Sequence, residues 1–370
     1  MNVIRLCVRL VCFGWLVAVT GSAQAQLKHD KRLTQKIAVD FDAALVSDVL
    51  KELGDKHKLP IDVIGDTSDI VESSRITLVG DGVTLGSVLH LICESTYLVS
   101  YLEKGRMKVA RVDEDEKNMT PRQYSLVGIV PAIDPQVLAG LYLPQFTSGM
   151  WKDVDQEGGE VLTLSPQAIT VRHTRTVHAE LQNFFSQLSA AATNRPKLLL
   201  PQEKAEQAML RKLQTPGPLA AGEVSLKEFL DQLLKKEQIP YTIEVTAMED
   251  EGIAWKDLKI TIDDTKQSPA SRLDALATDH NLSWRFADEF VQITTQTKGT
   301  EQMSIRVYDI RKKIGPNQPP EAFTQKLLSD KGLGPWQADE GEGGAFMILG
   351  TSLVIRHSTV AHAKIAKLLN

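Results

Sequence analysis

The sequence predicts an α+β fold, written twice along one chain. Segments of strand-like alternation are interleaved with segments whose apolar residues recur at helical spacing. The order of these segments repeats, and uncommon residues recur at a nearly fixed separation. Arg172-His173 and Arg356-His357 stand 184 positions apart (172 to 356), as do Tyr124 and Tyr308, and Ile76-Thr77 and Ile260-Thr261. Trp151 and Gly158-Gly159 meet Trp336 and Gly343-Gly344 at 185 (151 to 336), and Pro60 meets Pro240 at 180 (60 to 240). Matching anchors with a drifting separation describe a tandem pair of domains with small insertions, too long in period for a solenoid.

The elements follow in order. Lys36–Phe41 alternates as a strand, with Ile37, Val39 and Phe41 on one side. Val46, Val49, Leu50 and Leu53 then give the i, i+3, i+4, i+7 stripe of a helix, and Leu226, Phe229, Leu230 and Leu233 give its twin. Leu59-Pro60 and Ile239-Pro240 open short strands, and Arg75–Val79 and Lys259–Ile262 are rich in strand formers. Leu85, Val88, Leu89 and Ile92 mark a second helix. Strands Leu98–Glu103 and Arg106–Ala110 join through Lys104-Gly105, matched by Leu282–Phe286 and Phe290–Thr294.

A second subdomain opens with strands through Tyr124 and Tyr308. Helical stretches at Pro135–Tyr142 and Glu321–Leu328 follow, then a Trp and an acidic Gly-Gly loop. Glu160–Leu164 and Ile169–Arg172 form a hairpin turning at Ser165-Pro166-Gln167. The last helix carries Val177, Leu181, Phe184, Phe185 and Leu188, and its twin Ala361, Ile365, Leu368 and Leu369. Ala190–Pro196 reads as a linker, Glu203–Leu213 as an extra helix, and Thr215–Gly222 as a Pro/Gly separator. The expected boundaries are 1–25, 34–112, 120–190, 197–297 and 303–370.

The order β-α-β-β-α-β-β, with "VSDVLKELGDKHKLPIDV" and "VTLGSVLHLICESTYLVSYLEKGRMKV", resembles the short N-terminal domain of secretins and TonB-dependent receptors. "VSLKEFLDQLLKKEQIPYTIEV" and "SPASRLDALATDHNLSWRFADEFVQI" resemble it again. The trailing strand-helix-strand-strand-helix subdomain is similar to the ring-building N-domains of secretins. The sequence shows no receptor barrel, plug or secretin pore segment. The resemblance therefore implies exported binding modules, neither receptor nor channel.

Residues 1–25 read as a secretory leader. Arg5 and Arg9 precede an apolar run from Leu10 to Val19, which ends in Ala23-Gln24-Ala25, a small-x-small cleavage pattern. The run is short of the roughly 20 residues of a membrane span. The rival reading is an uncleaved anchor. The chain carries a net charge of −5 and no basic run, which excludes nucleic acid as the expected partner. Of three cysteines, Cys7 and Cys12 leave with the leader. Cys93 remains, so the mature chain has no internal disulfide and depends on packing. The apolar spacing around Cys93 reads as a buried small hydrophobe.

Three features of the sequence are candidate sites. His173 with His178, and His357 with His362, place a strand-end histidine before a first-turn histidine, capped by Thr174 or Thr176 and by Ser358. A zinc site needs three or four ligands, and no third is spaced to join them; support of the strand-to-helix corner is the expectation. In "DVDQEGG", Asp153, Asp155, Glu157 and Gly158 imitate a calcium loop, but Leu164 stands where a bidentate Glu belongs, and Ala338 breaks the second copy. Trp151 and Trp336 are read as partner contacts if exposed, or as lids on a small core. No hydrolase elbow, zincin helix, C-x-x-C, P-loop or dinucleotide fingerprint occurs. No catalytic residue, metal or cofactor is assigned. The expected function is a non-enzymatic protein-interaction or scaffold module of the bacterial cell envelope, periplasmic or secreted, with a protein partner. The alternatives are an enzyme or ligand binder with a cleft between repeats, and a ring-forming envelope component.

Overall fold

The computed structural model describes residues 30–129, 133–192, 201–263, 266–311, 313, 320–330, 333, 336 and 343–369. The leader 1–25, the linker beyond Ala192 and the second acidic loop before Gly343 lie outside the described residues. Within them the chain is α+β, in several small sheets covered by helices.

β1 (Lys36–Leu45) leads into α1 (Val46–His57), β2 (Ile61–Val63), α2 (Ser68–Ser73), β3 (Arg75–Thr84) and α3 (Leu85–Ser95). β4 (Leu98–Glu103), β5 (Arg106–Arg111) and the short α4 (Val112–Lys117) complete this part. The amphipathic stripes are buried as the spacing requires: Val46, Val49, Leu50 and Leu53 of α1, and Leu85, Val88, Leu89 and Ile92 of α3, are each at most 3 % exposed. Each such side chain contributes about 1.5–3 kcal/mol of burial. Thr84 caps α3 by accepting from the Ser87 N–H. Lys58 stops α1 in the left-handed region, at φ 53°.

The next part comprises β6 (Thr120–Ser125), α5 (135–146, with a π turn at Leu138–Tyr142), α6 (Lys152–Asp155), β7 (Glu160–Leu164), β8 (Ala168–His173) and α7 (Arg175–Ala192). Its sheet order is β6-β8-β7. α7 runs to Ala192 and takes in the first residues expected as linker, because Leu188 and Ala191 still bury against its core.

α8 (Pro201–Leu213) precedes β9 (Gly222–Ser225), α9 (Leu226–Leu233), β10 (Tyr241–Ile243), α10 (Val245–Asp250), β11 (Lys259–Ile262) and α11 (Pro269–His280). β12 (Leu282–Ala287), β13 (Phe290–Thr295) and α12 (Gln296–Glu301) follow. β14 (Ser304–Asp309), α13 (Pro320–Leu328), β15 (Ala345–Leu349), β16 (Ser352–His357) and α14 (Thr359–Leu369) close the chain, with sheet order β14-β16-β15. Ser225 and Glu228 form a reciprocal capping box on α9.

Two features cross the expected boundaries. β1 and β3 join β10, β13 and β12 in one sheet of order β1-β3-β10-β13-β12, leaving β9-β11 as a separate ribbon and β2-β5-β4 as a separate sheet. α7 packs against β14 and β16, and its Phe184 and Leu188 share one core with Ile305, Met347 and Val354.

Candidate interaction site

The recurring residues come together at two strand-to-helix corners. His178 is fully buried. Its Nε2 lies 2.6 Å from the Thr120 carbonyl, which can only accept, so Nε2 carries the proton. Nδ1 is then an acceptor, and Tyr124 donates its hydroxyl to it at 2.7 Å. Tyr308, His362 and the Ser304 carbonyl repeat the arrangement at 2.8 Å each. Burial pushes the His178 imidazole down to about 4, against the opposing pull of the Thr120 hydrogen bond. His178 is thus a neutral strut tying α7 to β6.

His173 serves differently. Its Nδ1 accepts from the Thr174 N–H at 2.9 Å, and its ring meets the Trp151 indole edge-on at 4.9 Å. His357 and Trp336 repeat the contact at 4.7 Å. Gly159 lies flat on the His173 imidazole: a Cβ there would stand 2.0 Å from Cδ2. Gly344 holds the same relation to His357 at 2.2 Å. Gly158 is needed for its backbone, at φ 97°, where a side chain would be strained. The Gly-Gly pair, the tryptophan and the histidine of the Arg-His motif therefore make one packed corner. Asp155 accepts from the Trp151 N–H at 2.7 Å.

Trp151 is 3 % exposed and Trp336 2 %, so neither indole is presented to a partner. They close the ends of small cores. Trp151 donates to the Thr147 hydroxyl at 2.9 Å. Thr174 caps α7 through the Val177 N–H and Ser358 caps α14 through the Ala361 N–H. Cys93 is buried, which pushes its thiol up to about 12.

What the sequence reading missed is the seam between β3 and β10. They pair antiparallel, Tyr241 with Val79, Thr242 with Leu78 and Ile243 with Thr77. All three β10 residues are fully buried. The Thr242 hydroxyl donates to the Thr77 carbonyl at 2.8 Å, and the Thr77 hydroxyl accepts from the Ala43 N–H at 3.0 Å. Gly80 lets the strands close, since a Cβ would come 2.9 Å from the Pro240 ring. The turn between β12 and β13 clamps the seam: Asp288 pairs with His90 at 2.7 Å, and Glu289 pairs with Lys36 and accepts from the Thr84 N–H. Arg285 reaches Glu94 at 2.7 Å, and Lys235 reaches Asp40 at 2.9 Å. Behind the seam lies a buried polar layer of Glu244, Gln292 and Thr294, in which burial pushes the Glu244 carboxyl above its usual range.

A groove of about 690 Å³ runs beside β2 and is lined by Leu50, Gly54, Ile61, Val63 and Val71 among others. β2 pairs with β5 alone among the described strands. The Pro60 carbonyl and the Ile64 N–H bond to β5. By strand alternation, the backbone groups of Ile61 and Val63 face the other way.

No protein-family model matches the chain, and no curated protein matches it. Among solved structures, one described as XcpQN012 aligns over 90 % of this chain and 96 % of its own, at 10 % identity and a TM-score of 0.18. A dimeric cysteine mutant from the N-terminal domain of the secretin XcpQ from Pseudomonas aeruginosa aligns over 90 % and 97 %, at 9 % identity and a TM-score of 0.17. Overlaps this low carry no weight for the arrangement of this chain.

Proposed function

We propose that the protein is an exported, non-enzymatic interaction or scaffold component of the bacterial cell envelope, built as two copies of one α+β unit. The seam supports this reading best. The chain joins its own folded parts by laying a strand on a sheet edge, and such edges are how extended segments of other proteins are recognised. The recurring histidines, tryptophans and glycines serve packing and capping, which leaves them no evident chemical duty. Export rests on the leader pattern of residues 1–25. Among the described residues no helix is long and apolar enough to cross a membrane. The test is affinity capture from the exported fraction followed by mass spectrometry, with the captured chain expected to begin at Gln26. A discrete protein partner is expected. Capture of nothing above an unrelated exported control would overturn the partner reading, and retention of Met1 would overturn cleavage.

A further inference from the structure

We propose that the groove beside β2 is a strand-acceptor slot whose occupant is β11 of a second copy of this chain, so that molecules join head to tail. The inference rests on the two-copy reading above and takes the seam as its template. By the sequence match, Ile61-Asp62-Val63 corresponds to Tyr241-Thr242-Ile243, and Thr261 corresponds to Thr77. In the seam those positions are sealed: Tyr241, Thr242, Ile243 and Thr77 are all 0 % exposed. At the unmatched edges of β2 and β11 they are more open, with Ile61 and Asp62 half-buried. Val63 is 41 % exposed, and Thr261 and Asp263 are exposed.

In the seam, β3 lies along β10 and against α10. The corresponding place beside β2, bounded by α1 and α2, is the groove of about 690 Å³. β11, which corresponds to β3, pairs with β9 alone among the described strands. Among the described strands the molecule thus has one acceptor edge and one donor edge of the two kinds that its own seam joins. Transferring the seam register sets Ile61 against Asp263, Asp62 against Ile262, and Val63 against Thr261. The clamp transfers too, with its charges exchanged. Where Asp288 meets His90 in the seam, the docked pair would bring exposed Lys104 to exposed Asp274.

A second observation sets the strength of the contact. The β14-β16-β15 sheet offers Ile305, Met347 and Val354 to the core it shares with α7. The matching positions on β6-β8-β7 are Pro121, Leu162 and Thr170, a more polar set. The helix contact is therefore not repeated between molecules, and the strand pairing with its clamp carries the association. A single strand pairing buries little surface, and so small a contact is weak and concentration-dependent. Because it is heterologous, each addition leaves a free edge at both ends, and the assembly grows or closes into a ring.

The experiment uses the full mature chain. Average mass is measured by light scattering or sedimentation from micromolar to sub-millimolar concentration, for wild type and for Val63→Pro. That proline removes an N–H that faces away from β5. In parallel, Val63→Cys and Thr261→Cys single variants are mixed under mild oxidation. The expected result is a mass that rises with concentration to at least twice the monomer's, a loss of that rise in Val63→Pro, and a disulfide formed between the two different variants. A constant mass with no mixed disulfide overturns the proposal. So does a rise that Val63→Pro leaves intact and that forms no mixed disulfide, since another surface would then be responsible. Should Val63→Pro fail to fold, the mixed disulfide decides alone. If Val63→Pro abolishes capture of a foreign partner while wild type stays monomeric, the second-copy proposal fails and the partner reading survives.

Discussion

Lowering the pH from 7 to 4 should cost the folded protein about 3 kcal/mol through His178 alone. The imidazole ordinarily titrates near 6.5 and is held down to about 4 by burial. Each unit of that difference is worth about 1.36 kcal/mol. Below pH 6.5 the unfolded chain takes up a proton at this position while the folded chain does not. Stability is therefore complete above 6.5, falls as pH drops, and levels off below about 4, where the folded form also protonates. The assay compares urea unfolding of wild type and His178→Gln at pH 7, 6, 5 and 4. Glutamine does not titrate, and its amide can still donate toward the Thr120 carbonyl. Other groups titrate alike in both proteins and cancel in the difference. The stability advantage of wild type at pH 7 should shrink by about 3 kcal/mol by pH 4. An advantage that stays constant across the range would refute the buried, neutral histidine.

Gly159→Ala should destabilise by about 1–3 kcal/mol or more, because its Cβ would overlap the His173 ring; a melting temperature equal to wild type would count against the packed corner. Tyr308→Phe should cost about 1–3 kcal/mol in urea unfolding, since His362 Nδ1 loses its donor inside the core. Glu244→Gln should raise the unfolding midpoint at pH 7, because a carboxyl pushed up by burial is costly once ionised; its advantage should fade as pH drops and the acid protonates, and a gain unchanged at pH 4 would point to another cause. Cys93 should be unreactive toward a thiol reagent in the native protein and react only on unfolding; fast native labelling would contradict its burial.

The long amphipathic elements were legible because burial of one face imposes a period that any reader of the sequence can count. The helices at Val46–His57 and Leu85–Ser95, and the hairpins at Lys104-Gly105 and Ser165-Pro166-Gln167, stand close to where the spacing put them. The short helices Ser68–Ser73, Val112–Lys117 and Val245–Asp250 were not legible, since six residues are too few to show a stripe. The seam was illegible for a different reason. Thr242 and Thr77 stand 165 positions apart, and edge pairing imposes no period on the sequence. One signal was present: Tyr241-Thr242-Ile243 lacks the charge that Asp62 places in Ile61-Asp62-Val63. The histidine corners had a signal as well. Tyr124 and His178 recur together as Tyr308 and His362, and residues that recur as a pair are candidates for contact. Burial of Trp151 and Trp336 was not decidable from type alone, because an indole suits a core and an interface equally.

The seam also changes what the covalent connection between the halves is for. A cut between Ala192 and Pro201 would divide the chain, yet the strand pairing, the Glu289 and Asp288 clamps and the core around Phe184 would still span the two pieces. The connecting segment then acts as a tether that keeps the local concentration of each piece high for the other. Two polypeptides, one ending at Ala192 and one beginning at Pro201, should on this basis complement one another when refolded together. Dilution should separate the nicked pair and leave the intact chain unaffected, so a split form of the protein would report its own concentration in the compartment that holds it.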